Sequence, residues 1–163
     1  MKSRYFLLGM LVAAVALIAD QASKWALMDI LRLPEAPIDV LPFFRLVMVW
    51  NQGVSFGMFA DAGDMRRWVL IGVSLTIVCV LLAWLWRAEK PLIAWAIGLI
   101  IGGAVGNVVD RGRWGAVADF FYFHYEQFYW PAFNIADSTI FIGVVLLCWD
   151  SIVLSKNSDS KAL

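Results

Sequence analysis

The sequence predicts an all-α membrane protein, a four-transmembrane-helix bundle with a small extracytoplasmic β element and a second extracytoplasmic loop. The 163 residues are 62% hydrophobic and include nine Trp, whereas soluble domains are nearer half apolar. Four apolar runs are each long enough to cross a bilayer. The chain contains no internal repeat, so we expect one domain over residues 1–163.

The first predicted helix covers about residues 5–28. Lys2 and Arg4 precede an apolar run that could be the core of a signal peptide. No cleavage site of the A-x-A type follows, and the apolar pattern continues beyond Lys24. We therefore expect an uncleaved transmembrane helix. Asp20 and Lys24 are four residues apart, so they share one helix face and can pair.

The first outer connection covers residues 29–65. Three prolines in it break helices. The run 43–50 is rich in strand-forming residues, and the Asn-Gln-Gly sequence at 51–53 is a turn signal. We therefore predict a small β element that lies at the membrane surface. The apolar run 54–59 is too short to span a bilayer.

The second predicted helix, residues 68–86, carries no charged residue and has Trp at both ends, as interfacial belts require. A third helix is predicted over residues 91–109. Gly98, Gly102 and Gly106 recur in it every four residues. Such a face of small residues lets a neighbouring helix approach closely.

The second predicted outer loop, residues 110–135, precedes a fourth helix over residues 136–155. Eight aromatic residues lie between Phe120 and Trp130, and they are typical of an interfacial belt. Asp150 lies deep in the inner half of the fourth helix, where we expect it to pair with an Arg or Lys from the cytoplasmic side.

Several classes of function receive no support. The chain has 13 basic and 13 acidic residues and no basic stripe, so a nucleic-acid partner is not indicated. Cys79 and Cys148 each lie within an apolar run, where we expect small inert hydrophobic groups. His124 has no Cys or His partner at metal-ligand spacing, so no zinc site is predicted.

The basic residues predict the orientation. Four spans place both termini on one side, and that side carries six basic residues in three very short segments. The opposite side carries seven in two much longer loops. The positive-inside rule therefore places both termini in the cytoplasm.

This orientation places a set of polar residues at the outer face. They come from three of the four helices and from both outer loops. Polar residues with unrelated structural roles would instead be distributed over both faces of the membrane. Ionisable groups at membrane depth are costly and by default mark function, so we predict a site there. The set is Asp20, Lys24, Asn51, Asn107, Asp110, Arg111, Asp119, Asn134 and Asp137.

Carboxylates are the main catalytic groups of this set. Ser55 and Ser138 are the nearest serines, and Lys24 is the only group that could serve one of them as a base. Two close carboxylates cannot easily both ionise, so they share a proton. One then acts as a base on water while the other acts as an acid. This chemistry is that of aspartic proteases.

The residues alone leave other readings open. Buried polar groups in a helix bundle can simply hydrogen-bond to one another and fix packing. We favour such a structural role for Asp20 with Lys24 and for Asp110 with Arg111. Asp119 and Asp137 together fit a catalytic and a structural role equally. Intramembrane carboxylates also serve proton or ion transporters, although no polar trail crosses this chain to its other face.

Five sequence blocks carry a resemblance. They are Asp20-Gln21-x-x-Lys24, Asn51-x-Gly53-x-x-Phe56-Gly57, Gly102-Gly103-Ala104-x-Gly106-Asn107-x-x-Asp110-Arg111, Val117-x-Asp119-Phe120 and Phe133-Asn134-x-Ala136-Asp137-Ser138. Together, in this order and with four apolar helices, they resemble lipoprotein signal peptidase, also called signal peptidase II. The match runs through nearly the whole chain.

The resemblance implies an aspartic endopeptidase of the bacterial inner membrane. Such enzymes remove the signal peptide from prolipoproteins and cut on the N-terminal side of a cysteine that carries a diacylglyceryl group. The resemblance places the catalytic pair on Asp119 and Asp137. It places substrate-binding and supporting positions on Asp20, Lys24, Asn51, Gly53, Asn107, Asp110, Arg111, Asn134 and Ala136.

The resemblance also implies no metal or cofactor, inhibition by the cyclic peptide globomycin, contact with membrane lipid, and a monomer. The acyl chains of the substrate would hold its cysteine at the outer membrane surface, the depth at which the aspartates are predicted. The dipole of the fourth helix favours ionised Asp137, so Asp119 is the candidate for the protonated partner. A non-enzymatic lipoprotein-binding factor is the remaining alternative.

Overall fold

The computed structural model describes residues 4–30, 37–53 and 63–159. The helices in this part are α1 (Phe6–Trp25), α2 (Gly63–Leu85), α3 (Pro91–Trp114) and α4 (Ile135–Asp159). The strands are β1 (Ile38–Leu41), β2 (Phe44–Asn51), β3 (Val117–Tyr125) and β4 (Phe128–Tyr129). A π-helical segment, Ala26–Ile30, continues α1. The predicted apolar run 54–59 lies outside the described residues.

Within the described residues, four helices are long and apolar enough to cross a membrane, which confirms the predicted bundle. Large apolar side chains cover their outer surfaces; Leu7 is 75% exposed and Phe141 is 70% exposed. Soluble monomers rarely expose apolar surface on this scale, so these surfaces suit contact with lipid. The candidate spans are Phe6–Asp29, Met65–Leu85, Pro91–Trp114 and Ile135–Ile152.

Three helices extend further than the sequence predicted, and α4 continues to Asp159 instead of ending at 155. α2 begins at Gly63, so Arg66 and Arg67 lie on the helix instead of before it. α3 continues for five residues beyond the predicted end at 109 and ends at Gly115, whose φ of +80° forms a left-handed cap. A prediction from hydropathy ends a helix where charged residues begin. The helix itself ends where a glycine can adopt the left-handed conformation of the cap.

α3 lies at the centre of the bundle and packs against the other three helices. A Cβ added at Gly98 would lie 2.5 Å from the Gly9 carbonyl oxygen of α1, and one added at Gly102 would lie 2.5 Å from the Ala13 carbonyl oxygen. Any larger residue would force α1 away. The predicted face of small residues is therefore confirmed as a helix contact.

The strands form one antiparallel sheet in the order β1-β2-β3-β4. The predicted β element is present as β1 and β2. The aromatic stretch of the predicted second outer loop is not irregular, because it forms β3 and β4. Its side chains alternate between the two faces, and Phe123 stacks on Phe44 of β2 at 4.8 Å between ring centroids. The strand partner lies about seventy residues away, beyond the reach of a local pattern.

At the opposite end of the bundle, Lys90 pairs with Asp150 at 2.8 Å between Nζ and Oδ1. This contact confirms the pairing predicted for Asp150. Cys79 and Cys148 are free and exposed on the helices. His124 lies in β3, and its Nε2 atom is buried without a hydrogen-bond partner among the described residues.

Candidate active site

The sheet end of the bundle contains a buried polar cluster. α1, α3 and α4 contribute to it from the helices, and β2 and β3 contribute from the sheet. Buried polar groups need hydrogen-bond partners, and the partners here are chiefly one another. The fully or almost fully buried members are Asp20, Lys24, Asn107, Asp110, Asp119 and Asn134.

Asp119 is held by two amide groups from different elements. Its Oδ2 accepts a hydrogen bond from Asn51 Nδ2 at 2.9 Å, and its Oδ1 accepts one from Asn134 Nδ2 at 2.7 Å. Pairing of β2 with β3 brings Asn51 to this position, because it lies opposite Val117 in the register. Both oxygens of Asp119 therefore have defined donors.

The turn after β2 fixes the Asn51 side chain. Asn51 Oδ1 accepts a hydrogen bond from the Gly53 N–H at 2.7 Å, a local turn that asparagine commonly forms. Gly53 has a φ of +83°, a conformation that glycine adopts without a steric penalty. The Asn-x-Gly signal at this place therefore orients the amide that reaches Asp119.

Asp137 lies in the first turn of α4, in a reciprocal cap with Asn134. Asn134 Oδ1 accepts from the Asp137 N–H at 2.9 Å, and Asp137 Oδ2 accepts from the Asn134 N–H at 3.3 Å. This arrangement is a capping box built from Asn and Asp. The second oxygen, Asp137 Oδ1, accepts from Asn107 Nδ2 of α3 at 2.9 Å.

Asn134 joins the two aspartates. Its oxygen binds the backbone of Asp137, and its Nδ2 donates to Asp119. The same Nδ2 lies 3.2 Å from the Ala118 carbonyl oxygen and 3.3 Å from Asn107 Oδ1. One amide group thus ties the start of α4 to β3 and fixes the two carboxylates relative to each other.

A second network lies beneath the aspartates. Lys24 Nζ lies 2.7 Å from Asp20 Oδ2 and 2.6 Å from Asp110 Oδ2, and all three side chains are 0% exposed. The predicted pairing of Asp20 with Lys24 is confirmed. Asp110 pairs with this same lysine, although its chain neighbour Arg111 also carries a positive charge.

The two carboxylates also accept backbone N–H groups from other elements. Asp20 Oδ1 accepts from Ala136 N of α4 at 3.0 Å, and Asp110 Oδ2 accepts from Ala118 N of β3 at 3.2 Å. Gln21 Nε2 donates to Asp20 Oδ2 at 3.1 Å and to Asp110 Oδ1 at 3.0 Å. Gln21 and Ala118 are not among the residues that the sequence predicts for the site, although each stands beside an aspartate in one of the five blocks.

The glycine row of α3 continues into this network. A Cβ at Gly106 would lie 2.5 Å from Asp20 Oδ2, and one at Gly103 would lie 2.5 Å from Thr139 Oγ1 of α4. Glycine at these positions therefore lets α1 and α4 approach α3 at the depth of the site. Ala136, which is 0% exposed, fills the small space between these helices.

Arg111 lies in the last turns of α3, next to the carboxylates. Its Nη1 donates a long hydrogen bond of 3.4 Å to the Asn107 carbonyl oxygen. The charges of Asp137, Asp110 and Asp119 act on its guanidinium group. Its Nε is buried and has no hydrogen-bond partner among the described residues, so a donor remains uncommitted beside the aspartates.

A serine–lysine pair does not form with Ser138. Ser138 Oγ donates to the Asn134 carbonyl oxygen of its own helix at 2.9 Å. Lys24 is already bound by two carboxylates. The other serine considered, Ser55, lies outside the described residues. The described part of the site therefore offers carboxylates as its acid–base groups.

Burial raises the pKa of Asp119 from 3.8 to about 7, and the nearby Asp137 charge raises it as well. Hydrogen bonds from Asn51 and Asn134 act in the opposite direction and lower this pKa. Asp119 is 1% exposed, so loss of water is the dominant effect. Asp119 can therefore keep a proton near neutral pH, a state that suits a general acid.

An apolar cavity of about 410 Å³ opens beside Asp137. Its walls come mainly from the first turns of α4 and from the segment that follows β4. An apolar chain that entered from the outer surface of α4 would lie against a carboxylate. The lining residues are Trp130, Phe133, Asp137, Ser138, Phe141 and Ile142.

Comparisons with known proteins give consistent matches. The family described as Signal peptidase (SPase) II matches residues 12–153. A lipoprotein signal peptidase of Methylocella silvestris is 42% identical over 154 residues, 94% of this chain and 90% of that protein. One of Beijerinckia indica is 43% identical over 145 residues, 88% of this chain and 87% of that protein.

Two solved structures of a bacterial membrane enzyme, determined by the in meso method, resemble this fold. The structure at 2.3 Å resolution has a TM-score of 0.79 and 26% sequence identity, and it covers 98% of this chain and 94% of its own. The structure at 1.9 Å resolution has the same TM-score and identity, and it covers 91% of this chain and 95% of its own.

Proposed function

Because the chain belongs to the signal peptidase II family and removes signal peptides from prolipoproteins, we propose that it is an aspartic endopeptidase with Asp119 and Asp137 as its catalytic pair. The observation that carries this proposal is the Asn134 amide, which holds both aspartates. Membership of this family argues against the two alternative functions that the sequence left open, a proton or ion transporter and a non-enzymatic lipoprotein-binding factor.

In the proposed reaction, ionised Asp137 takes a proton from water, and the water oxygen bonds to the scissile carbonyl carbon. Protonated Asp119 gives its proton to the carbonyl oxygen, which yields a neutral tetrahedral diol. Asp137 then gives its proton to the leaving nitrogen as the C–N bond breaks. Asp119 takes a proton back from one hydroxyl of the diol, so both groups return to their starting states.

The neighbours of the pair suit these roles. Loss of water keeps a proton on Asp119 near neutral pH, and the N-terminus of α4 favours negative charge on Asp137. Arg111 keeps an uncommitted N–H donor close by.

We place the cleavage on the N-terminal side of a diacylglyceryl cysteine. The acyl chains of such a cysteine stay in the bilayer, so the scissile bond stays near its surface. The apolar cavity beside Asp137 and the exposed apolar surface of α4 support an approach from the lipid. Cyclic peptide inhibitors of the globomycin type would compete for the same place.

We further propose a monomer in the bacterial inner membrane with both termini in the cytoplasm. The site then faces the periplasm. The support for this orientation is the concentration of basic residues in the short segments on the side of the termini. The sheet and the buried polar cluster both lie at the opposite end of the bundle from the ion pair of Lys90 with Asp150.

The test is cleavage of a diacylglyceryl-modified prolipoprotein by purified Asp119→Asn and Asp137→Asn variants in detergent, followed by gel shift. An amide cannot pass the proton, so each variant should lose at least about 10³-fold in turnover. Asp39→Asn is the matched control, because Asp39 is an exposed aspartate of β1 that pairs with Arg45. Turnover near wild type in either catalytic variant would contradict the proposal.

A further inference from the structure

Lys24 occupies a central position in the network beneath the catalytic pair. One ammonium group lies between a carboxylate of its own helix, Asp20, and a carboxylate of α3, Asp110, at 2.7 and 2.6 Å. All three side chains are 0% exposed. Two carboxylates and one ammonium group, with a formal net charge of −1, therefore share a site that is closed to solvent.

Each of the two carboxylates reaches the residue that directly precedes one catalytic aspartate. Asp20 Oδ1 accepts the N–H of Ala136, which precedes Asp137 on α4. Asp110 Oδ2 accepts the N–H of Ala118 in β3, and the next residue along this strand is the other member of the pair. α4 and β3 are different elements, and Lys24 links the groups that anchor them.

We propose that Lys24 is a positioning residue that sets the relative placement of Asp119 and Asp137 through Asp20 and Asp110. This inference rests on the proposed function, which makes the two aspartates the reacting groups. Lys24 acts through two other side chains and two backbone N–H groups, so it is not itself a catalytic residue.

The physical reason is the cost of buried charge. A buried carboxylate is tolerated when it is paired and hydrogen-bonded, and loss of its partner leaves an uncompensated charge. Without the ammonium group, Asp20 and Asp110 would repel each other in a site of low dielectric constant. As the two carboxylates moved apart, each would draw with it the backbone N–H that it binds, so Ala118 and Ala136 would separate.

The close packing around Asp20 limits how far this carboxylate could move to compensate for the loss of Lys24. Gly106 of α3 lies so close to Asp20 that an added Cβ would lie 2.5 Å from Oδ2. Gln21 Nε2 bridges the same two carboxylates at 3.1 and 3.0 Å, but this amide carries no charge. The amide can keep the two oxygens near each other, whereas only Lys24 offsets their repulsion.

The first test is Lys24→Met, which keeps a side chain of similar length and removes the charge. Misplacement of reacting groups by about 1 Å can cost on the order of 10²-fold in rate, so we expect kcat to fall by about 100-fold. KM should change little, because the surface that binds the substrate is intact. The number of active molecules is counted by titration with a tight-binding cyclic peptide inhibitor.

The control is Lys90→Met. Lys90 also forms an ion pair with an aspartate, at 2.8 Å to Asp150 Oδ1, but at the other end of the bundle. We expect this variant to keep its kcat per active molecule. A double variant, Lys24→Met with Asp110→Asn, restores the buried net charge of −1 and allows the test even if Lys24→Met folds poorly.

A kcat per active molecule at the wild-type level in Lys24→Met would overturn the inference and leave Lys24 as a purely structural residue. A double variant whose kcat is no higher than that of Lys24→Met would overturn it as well, because Asp110→Asn removes the repulsion that Lys24 is proposed to offset. A lower kcat with an unchanged KM supports it. Asp119→Asn in the same assay separates the two proposals. If Asp119→Asn is active, the catalytic assignment fails. If Asp119→Asn is inactive while the Lys24 variants keep full kcat, only the role of Lys24 fails.

Discussion

At the scale of single residues, Asn134 performs two tasks that few side chains could combine. Its oxygen accepts the N–H of Asp137 and caps α4, while its Nδ2 donates to Asp119 at 2.7 Å. An amide side chain carries both an acceptor and donors. Aspartate would cap the helix as well as asparagine does, but it could not donate to a second carboxylate.

We therefore expect Asn134→Ala and Asn134→Asp to differ. Alanine removes the cap and should lower the free energy of unfolding by about 1 kcal/mol, together with the cleavage rate. Aspartate keeps the cap but places a third carboxylate beside Asp119, so the cleavage rate should fall while the cap is retained. Thermal unfolding in detergent and gel-shift cleavage measure both. Full activity of Asn134→Asp would show that the amide donor is dispensable.

The raised pKa of Asp119 makes both stability and activity depend on pH. Its folded-state pKa of about 7 lies above the usual 3.8. The stability that the neutral carboxyl contributes is therefore fully present below about pH 4 and is lost as pH rises through about 7. Wild-type protein should lose thermal stability over this range relative to Asp119→Asn, which cannot ionise.

The raised pKa of Asp119 also predicts how the cleavage rate changes at alkaline pH. Cleavage should decrease as pH rises above about 7, because Asp119 would lose the proton that it donates in the proposed reaction. Initial rates between pH 5 and 9 on one lipidated substrate measure this. A rate that stayed constant to pH 9 would show that Asp119 is not the proton donor.

At the scale of elements, α3 brings the site together because its glycines allow neighbouring helices to approach. The row that contacts α1 at Gly98 and Gly102 continues to Gly106 beside Asp20. The Asp20 carboxylate has little freedom to move aside, since Lys24 and the Ala136 N–H hold it. Packing and polar anchoring thus act on the same pair of helices.

We expect Gly106→Ala to destabilise the protein by about 1–3 kcal/mol through overpacking and to reduce cleavage. The new Cβ would lie 2.5 Å from Asp20 Oδ2. Gly72→Ala in α2 is the matched control, because a Cβ there meets nothing within 4 Å and alanine favours a helix. Unfolding midpoints that fell equally for both variants would argue against close packing as the cause.

At the scale of the whole molecule, the two ends of the bundle differ. One end carries the sheet and the buried polar cluster, and the other carries the short turn between α2 and α3 and the pair of Lys90 with Asp150. Alternating spans bring residues far apart in the sequence to the same end. The orientation in the bilayer then decides which compartment reaches the aspartates.

Labelling of single cysteines tests this orientation. In a background of Cys79→Ala and Cys148→Ala, an impermeant maleimide should label Tyr125→Cys in intact spheroplasts. It should label Arg87→Cys only after permeabilisation. Tyr125 is 69% exposed in β3, and Arg87 is exposed between α2 and α3. The reverse pattern would place the aspartates on the cytoplasmic side.

The four spans and most residues of the polar cluster could be predicted from the amino-acid sequence alone. Hydropathy is a sum over neighbouring residues, so each span could be found without knowledge of its partners. Alternation of the spans then brought Asp20, Asn107 and Asp137 to one end, although they lie far apart in the chain. Five ordered blocks added the family, which the comparisons confirmed.

The strand at Val117–Tyr125, the length of α3 and the partners of each carboxylate depend on how the chain packs in three dimensions. Pairing of β2 with β3 joins segments about seventy residues apart, so the aromatic run alone could not distinguish a strand from an interfacial loop. α3 continues through Asp110 because Lys24, Gln21 and a backbone N–H satisfy that carboxylate. Such partners exist only once the helices pack, and local sequence patterns carry no information about distant donors.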